Sequence, residues 1–383
     1  MKTRFLPLLL ILLVPSLSRA CSVPVFRYAL ERWDLAKYEV TVFYERVLPN
    51  DLESALKKLE AGVPKANLTV VRVDLQGKVA PEYAKQWAMQ SDKKTLPWLA
   101  ARLPETSAKL PDAWAGPFTE DNLRRLLDSP ARQQLVKQLS QGATAVFLLL
   151  PGSDDAANAR AAELLDKELA RLAKIVQLPE QSPEGPQVRT GIPLKIEFVA
   201  QKLDRADSAE QAFIQSLLNS DEDLAKVRGP IVLPVFGRGR LLCSLFGQDL
   251  TREQIANVVR FLCGECSCTV KELNPGADLL IAADWHDILE KAGPPQPQAA
   301  PALTVAVAET KTPAPLPESS PAESAMPTTN SELVVLPSIP PAEGKVCDCF
   351  DGDLSKHFWL LVAIGGAGVL VLATGVWVVV QRK

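Results

Sequence analysis

A chain of 383 residues with 47% hydrophobic content is too long for one ordinary domain and holds ample apolar material for two. Its formal net charge is only −3 and no basic stripe with interleaved aromatics is present, which argues against a nucleic-acid partner. The cysteine count of 7 is odd, so at least one thiol is unpaired, lipidated or joined to another chain.

The first residues have the layout of an export signal. Lys2 and Arg4 precede the apolar run Phe5 to Val14, and the small residues Ser18 and Ala20 set up cleavage before Cys21, giving a signal peptide over residues 1–20. Cys21 then becomes the mature N-terminus. That is the position a bacterial lipoprotein modifies, although Ser18 and Arg19 depart from the usual Leu-Ala-Gly style of lipobox. The opening CSVPVFRYALERW is similar to that of exported membrane proteins of planctomycete-type bacteria, a likeness that implies no activity.

After Pro24, which can start a helix, the first half alternates strands and helices. YEVTVFYE is expected as a strand, Asn50 with Glu53 as the cap of a helix through Leu59, NLTVVRVDL as a strand and PEYAKQWAM as a helix. LPWLAARLP and AWAG follow as strands, and Thr119 opens a helix carrying Leu123, Leu126 and Leu127. The second half repeats the order. TAVFLLL is a strand; Leu164, Leu165, Leu169 and Leu172 lie in a long helix; IPLKIEFVA is a strand, and Ser208 with Gln211 caps the next helix. IVLPVF is an apolar, β-branched run suited to a buried strand, and Gly237 and Gly239 turn the chain into RLLCSLF. Thr251 with Gln254 makes a capping box for a helix with Ile255, Val258, Val259 and Leu262 on one face. CGECSC closes the unit.

From Gly293 to Lys345 the chain is dominated by Pro, Ala, Ser, Thr and Glu, a composition that cannot bury enough apolar surface to fold, so a disordered linker is expected. Residues 346–357 form a juxtamembrane segment. Phe358 to Val380 carries no charge, and at about 1.5 Å per residue such a run crosses a hydrocarbon core of about 30 Å. Trp359 and Trp377 flank it like interfacial aromatics, and Arg382 and Lys383 in the tail 381–383 place the C-terminus inside. The chain is therefore expected in the membrane, single-pass, with its bulk extracytoplasmic.

The repeated order β, α, β, α, β, β, α over Tyr38 to Leu262 resembles the thioredoxin fold, as a tandem pair. The landmarks that carry the resemblance are Pro97 and Pro230 at the third core strand, the positions of that family's cis-proline, and Gly116 and Gly247 ahead of the last helix. The fold class implied is α/β, with thioredoxin-like units over 21–130 and 131–268 and a Cys-adjacent extension over 269–292. The departure from the family bears on chemistry. A thioredoxin keeps its C-x-x-C after the first core strand, where a helix N-terminus lowers a thiol pKa, and here those places hold YERVLPND and LPGSDDAA.

The cysteines elsewhere, Cys21, Cys243, Cys263, Cys266, Cys268, Cys347 and Cys349, are candidates for disulfides or metal. In an exported protein disulfides are the default; C-x-x-C is also the knuckle of thiolate zinc sites, so structural zinc at Cys263, Cys266 and Cys268 is the alternative. No other cofactor is expected. Cys263-Gly-Glu-Cys266 ends a helix, where the dipole disfavours a thiolate. Asp284, His286 and Asp287 are weaker metal candidates, and no catalytic residues stand out. Two functions from different classes follow. One is a membrane-anchored scaffold or interaction protein with a protein partner. The other is an anchored thiol-disulfide oxidoreductase using Cys21 or the Cys263, Cys266, Cys268 cluster.

Overall fold

The computed structural model of the protein describes residues 21–90, 95–104, 110–181, 186–266, 270–273 and 276–295. The chain opens with β1 (Cys21–Pro24) and α1 (Val25–Arg32). It continues through β2 (Tyr38–Tyr44), α2 (Asn50–Glu60), β3 (Leu68–Asp74), α3 (Pro81–Ala88), β4 (Trp98–Arg102), β5 (Trp114–Pro117) and α4 (Glu120–Leu127). Then come α5 (Pro130–Ser140), β6 (Ala145–Leu150), α6 (Asp155–Ile175), β7 (Phe198–Lys202), α7 (Gln211–Leu218), β8 (Ile231–Phe236), β9 (Arg240–Leu241), β10 (Leu245–Phe246) and α8 (Arg252–Cys263). The last elements are β11 (Glu265–Cys266), α9 (Val270–Leu273), β12 (Ala277–Asp278) and α10 (Trp285–Lys291).

This is a mixed α/β fold with several sheets. One sheet runs β3-β2-β4-β5, with β2 and β3 parallel and the other neighbours antiparallel. The larger sheet runs β12-β9-β8-β6-β7, with β10 also on β8; here β6 and β7 are parallel and β8 is antiparallel to β6 and β9. Each sheet is built around an apolar strand covered on both faces. Along β6 the alternate residues Ala145, Phe147 and Leu149 enter one core with α6 and α8, while Val146, Leu148 and Leu150 enter another with α5 and α7. A strand covered on both faces reads as an unbroken apolar run. β2 divides its residues in the same way, with Val40 and Val42 toward α2 and α4 and Phe43 toward Trp87 of α3.

Although β1 and α1 precede the first sheet in sequence, Val23, Val25, Phe26 and Ala29 pack with α6, α8 and the larger sheet. Gly237 turns β8 into β9 at φ 63°, and a Cβ there would stand 2.9 Å from that of Ala29, so only glycine lets α1 pack this closely. The two sheets are tied by residues 277–281. β12 extends the larger sheet beside β9, Asn67 Nδ2 donates to Leu279 O at 3.1 Å, and Ile281 N donates to Asn67 Oδ1 at 2.8 Å. Tyr38 Oη donates to Asp278 O at 2.9 Å, and Asp278 pairs with Arg240 at 2.7 Å in nearly complete burial.

Several local expectations change. Asn50 is the first helical residue rather than the cap, and the Asn50–Glu53 box does not form, because Arg72 on β3 takes the Glu53 carboxylate at 2.7 Å. Ser208 does not cap α7; Asp207 instead folds the preceding turn by accepting from Ala209 N. The strand expected over IPLKIEFVA begins only at Phe198, since Ile192 O is held by Arg27 and Lys195 O by Thr144. RLLCSLF is broken into β9 and β10. Leu242 N donates to Pro234 O at 2.9 Å, but proline has no N–H to return the bond. Thr119 and Thr251 do cap α4 and α8 through the N–H groups of Asn122 and Gln254.

The expected signal peptide, the linker from residue 296 onward, the juxtamembrane segment and the span Phe358 to Val380 lie outside the described residues. Among the described residues no helix is long and apolar enough to cross a membrane.

Candidate functional site

The cysteine region is assembled from the opening segment and the stretch after α8. Thr251 starts α8, whose buried face carries Ile255, Val258, Val259 and Leu262, and the helix stops at Cys263 with Gly264 extended behind it. The chain then enters β11, which pairs antiparallel with β1 so that Cys21 faces Cys266 and Pro24 faces Glu265 across an irregular register. Val25 N donates to Gly264 O at 3.0 Å, which continues the contact into α1.

A buried ion pair holds α1 in place. Arg27 Nε faces Glu31 Oε1 at 2.9 Å as an ion pair rather than a straight hydrogen bond, with both side chains fully buried. Arg27 Nη2 donates to Thr190 O and Ile192 O, and Glu31 accepts from Arg189 N and Thr190 N. Burial lowers the Arg27 pKa from its ordinary value, with Glu31 opposing the shift. The sequence signal was the i,i+4 spacing of opposite charges inside an otherwise apolar helix.

Among the cysteines, Cys243 and Cys263 carry free thiols, both sealed in the core around α8. Burial pushes the Cys263 thiol up to about 12. Burial is thus a second physical reason, beside its place at a helix C-terminus, for Cys263 to form a thiolate poorly. Cys266 is buried as well, whereas Cys268, Cys347 and Cys349 lie outside the described residues. Among the described residues no three His, Cys, Asp or Glu side chains gather as metal ligands. Asp284 is committed to capping α10 through Asp287 N, and His286 is exposed beside Glu290 at 3.8 Å.

The two strand-to-helix junctions are filled by structural contacts. Between β2 and α2, Arg46 sits at φ 58°, its N–H donating to Asp74 Oδ1 and its Nε to Gln76 Oε1. Between β6 and α6, the Asn158 side chain bonds Gly152 at both N and O, and Asp154 caps the helix by accepting from Ala156 N and Ala157 N. Ser153 N donates to Arg228 O at 3.1 Å, docking the segment ahead of β8 onto this turn through its backbone. The Leu96–Pro97 peptide is cis, as is Val63–Pro64; Pro230, expected as a second cis position, follows a trans bond in that docked segment.

A cavity of about 10 Å³ lies where the two sheets meet, lined by Tyr38, Leu126, Arg132, Phe213, Ser216 and Leu280. A space of that size suits a single water. Arg132 donates to Leu126 O at 2.5 Å and to Leu280 O at 3.4 Å, and burial brings its pKa down to about 10; burial pushes the Tyr38 phenol up. None of these arrangements pairs a nucleophile with a general base.

No protein-family model matches the chain, and no curated protein is similar to it.

Proposed function

We propose that the protein is a membrane-anchored, extracytoplasmic scaffold or interaction protein, built on two tandem thioredoxin-like units that have no active-site cysteines. The strand paths support the repeat: β3-β2-β4-β5 and β7-β6-β8-β9 each join a parallel pair to an antiparallel return. The observation that carries the functional reading lies at the two strand-to-helix junctions. Residues 45–49 read Glu-Arg-Val-Leu-Pro and residues 151–154 read Pro-Gly-Ser-Asp, with no cysteine in either, and the Arg46 and Asp154 side chains are engaged in a turn and a cap contact. Attack on a disulfide needs an accessible thiolate of lowered pKa. Cys263 runs the opposite way on both counts. What remains is a folded surface presented by an anchor to a protein partner.

An insulin-reduction assay on the purified protein tests this. Turnover is expected at the rate of a small thiol. Robust reduction that disappears in the Cys263→Ser, Cys266→Ser double variant refutes the scaffold and establishes the oxidoreductase.

A further inference from the structure

β1 and β11 have no sequence periodicity to recommend them, being short strands far apart in the chain. Their register nevertheless sets Cys21 directly opposite Cys266. Directly opposed residues of an antiparallel pair have Cα atoms about 4.5 to 5.5 Å apart. That spacing lies inside the range of about 4.4 to 6.8 Å that a disulfide bridges without moving the backbone.

We propose that Cys21 and Cys266 are joined by a cross-strand disulfide. The pairing is fixed from both sides. Ser22, Val23 and Val25 are buried directly behind Cys21, and Val25 N is bonded to Gly264 O, so the opening segment cannot slide along β11 without exposing core residues. On the other strand, Cys263 is still the last residue of α8, so Cys266 is the cysteine that β11 sets against β1.

The reaction is a dithiol oxidation. The two thiols lose their protons, one sulfur–sulfur bond forms, and the two electrons and two protons pass to a disulfide donor such as oxidised glutathione, which leaves as two thiols. A Cys21 sulfur committed to this bridge has no thiol left to carry a lipid. The chain is then closed into a ring from residue 21 to residue 266 that contains the core strands of both sheets.

The test uses the full-length protein purified in detergent and incubated with oxidised glutathione, then denatured, alkylated with iodoacetamide and cleaved with trypsin. Mass spectrometry is expected to find the peptide ending at Arg27 linked to Phe261–Lys271. That species should vanish on reduction, and fragmentation should place the bridge at Cys266. Cys21 found alkylated, lipid-bearing, or bridged to any other cysteine overturns the proposal. Cys266→Ser should make Cys21 newly alkylatable, and Cys21→Ser should do the same for Cys266; a Cys21 still protected in Cys266→Ser also overturns it. The wild-type map stands even if a variant folds poorly.

Discussion

Replacing Asp278 by Ala removes the hinge of the contact between the two sheets. Its carboxylate meets Arg240 Nη1 at 2.7 Å and accepts from Ala36 N at 2.9 Å, and the paired side chains are 3% and 10% exposed. Loss of the carboxylate leaves a buried guanidinium without its counter-charge, worth about 3 to 5 kcal/mol, and an unpaired backbone N–H, worth about 1 kcal/mol more. A total of about 4 to 6 kcal/mol corresponds to a fall of roughly 10 to 20 °C in Tm for a fold of this size. Urea unfolding followed by tryptophan fluorescence reads it directly, since the Arg240 guanidinium lies 6.0 Å from the Trp33 ring centroid. The midpoint should drop with little change in slope. Adding Arg240→Met removes the stranded charge and should recover about 2 kcal/mol. A single substitution costing under about 1 kcal/mol, or a double variant less stable than the single, refutes the assignment of this pair as a buried, mutually dependent contact.

Four further outcomes are expected. Hydrogen bonds from Arg171 and then Arg252 hold the Glu168 carboxyl below its usual range, so its stabilising effect is present above the ordinary glutamate pKa and lost as pH falls through the lower folded value; Glu168→Gln should flatten this acid limb, and an unchanged limb counts against the contact. Cys243 and Cys263, at 1% and 2% exposure, should resist thiol reagents at pH 8 in the folded protein and react on denaturation, and rapid native labelling of either would contradict their burial. Gly152→Ala sets a Cβ 2.2 Å from Arg228 O, and because backbone must move the cost should be about 1 to 3 kcal/mol or more in urea unfolding; an effect below about 0.5 kcal/mol would show that the turn is looser than described. Protease added to intact spheroplasts should degrade the region from Tyr38 to Leu262, and its protection would sink the proposed topology.

The strands with apolar, β-branched runs were legible because burial on both faces leaves no polar position to confuse the pattern, as in β6 and β8. Caps were legible only where nothing competed for the side chain. Thr119 and Thr251 each accept from their helix N–H with no rival partner among the described residues, whereas Glu53 is drawn off by Arg72 on β3. For α5 the signal was present in Ser129 followed by Pro130, an N-cap residue before a proline at the first helical position. β7 starts late because long-range bonds from Arg27 and Thr144 hold the preceding carbonyls, and no local pattern encodes those. The facing of Cys21 and Cys266 belongs to the same class. It depends on register between distant segments, so the cysteine list could be read but not its geometry.

The segment over residues 277–281 also determines how the fold takes up tension. A pull on the chain from beyond α10 meets the Gly191 N to Gly293 O bond and the packed face of α10, and then β12 at the edge of the larger sheet. At that point the load divides between Asn67, just ahead of β3 of the smaller sheet, and the Arg240–Asp278 pair on the larger one. Strain that has passed α10 is thus shared by both cores, and detaching this short strap comes ahead of the extraction of any interior strand.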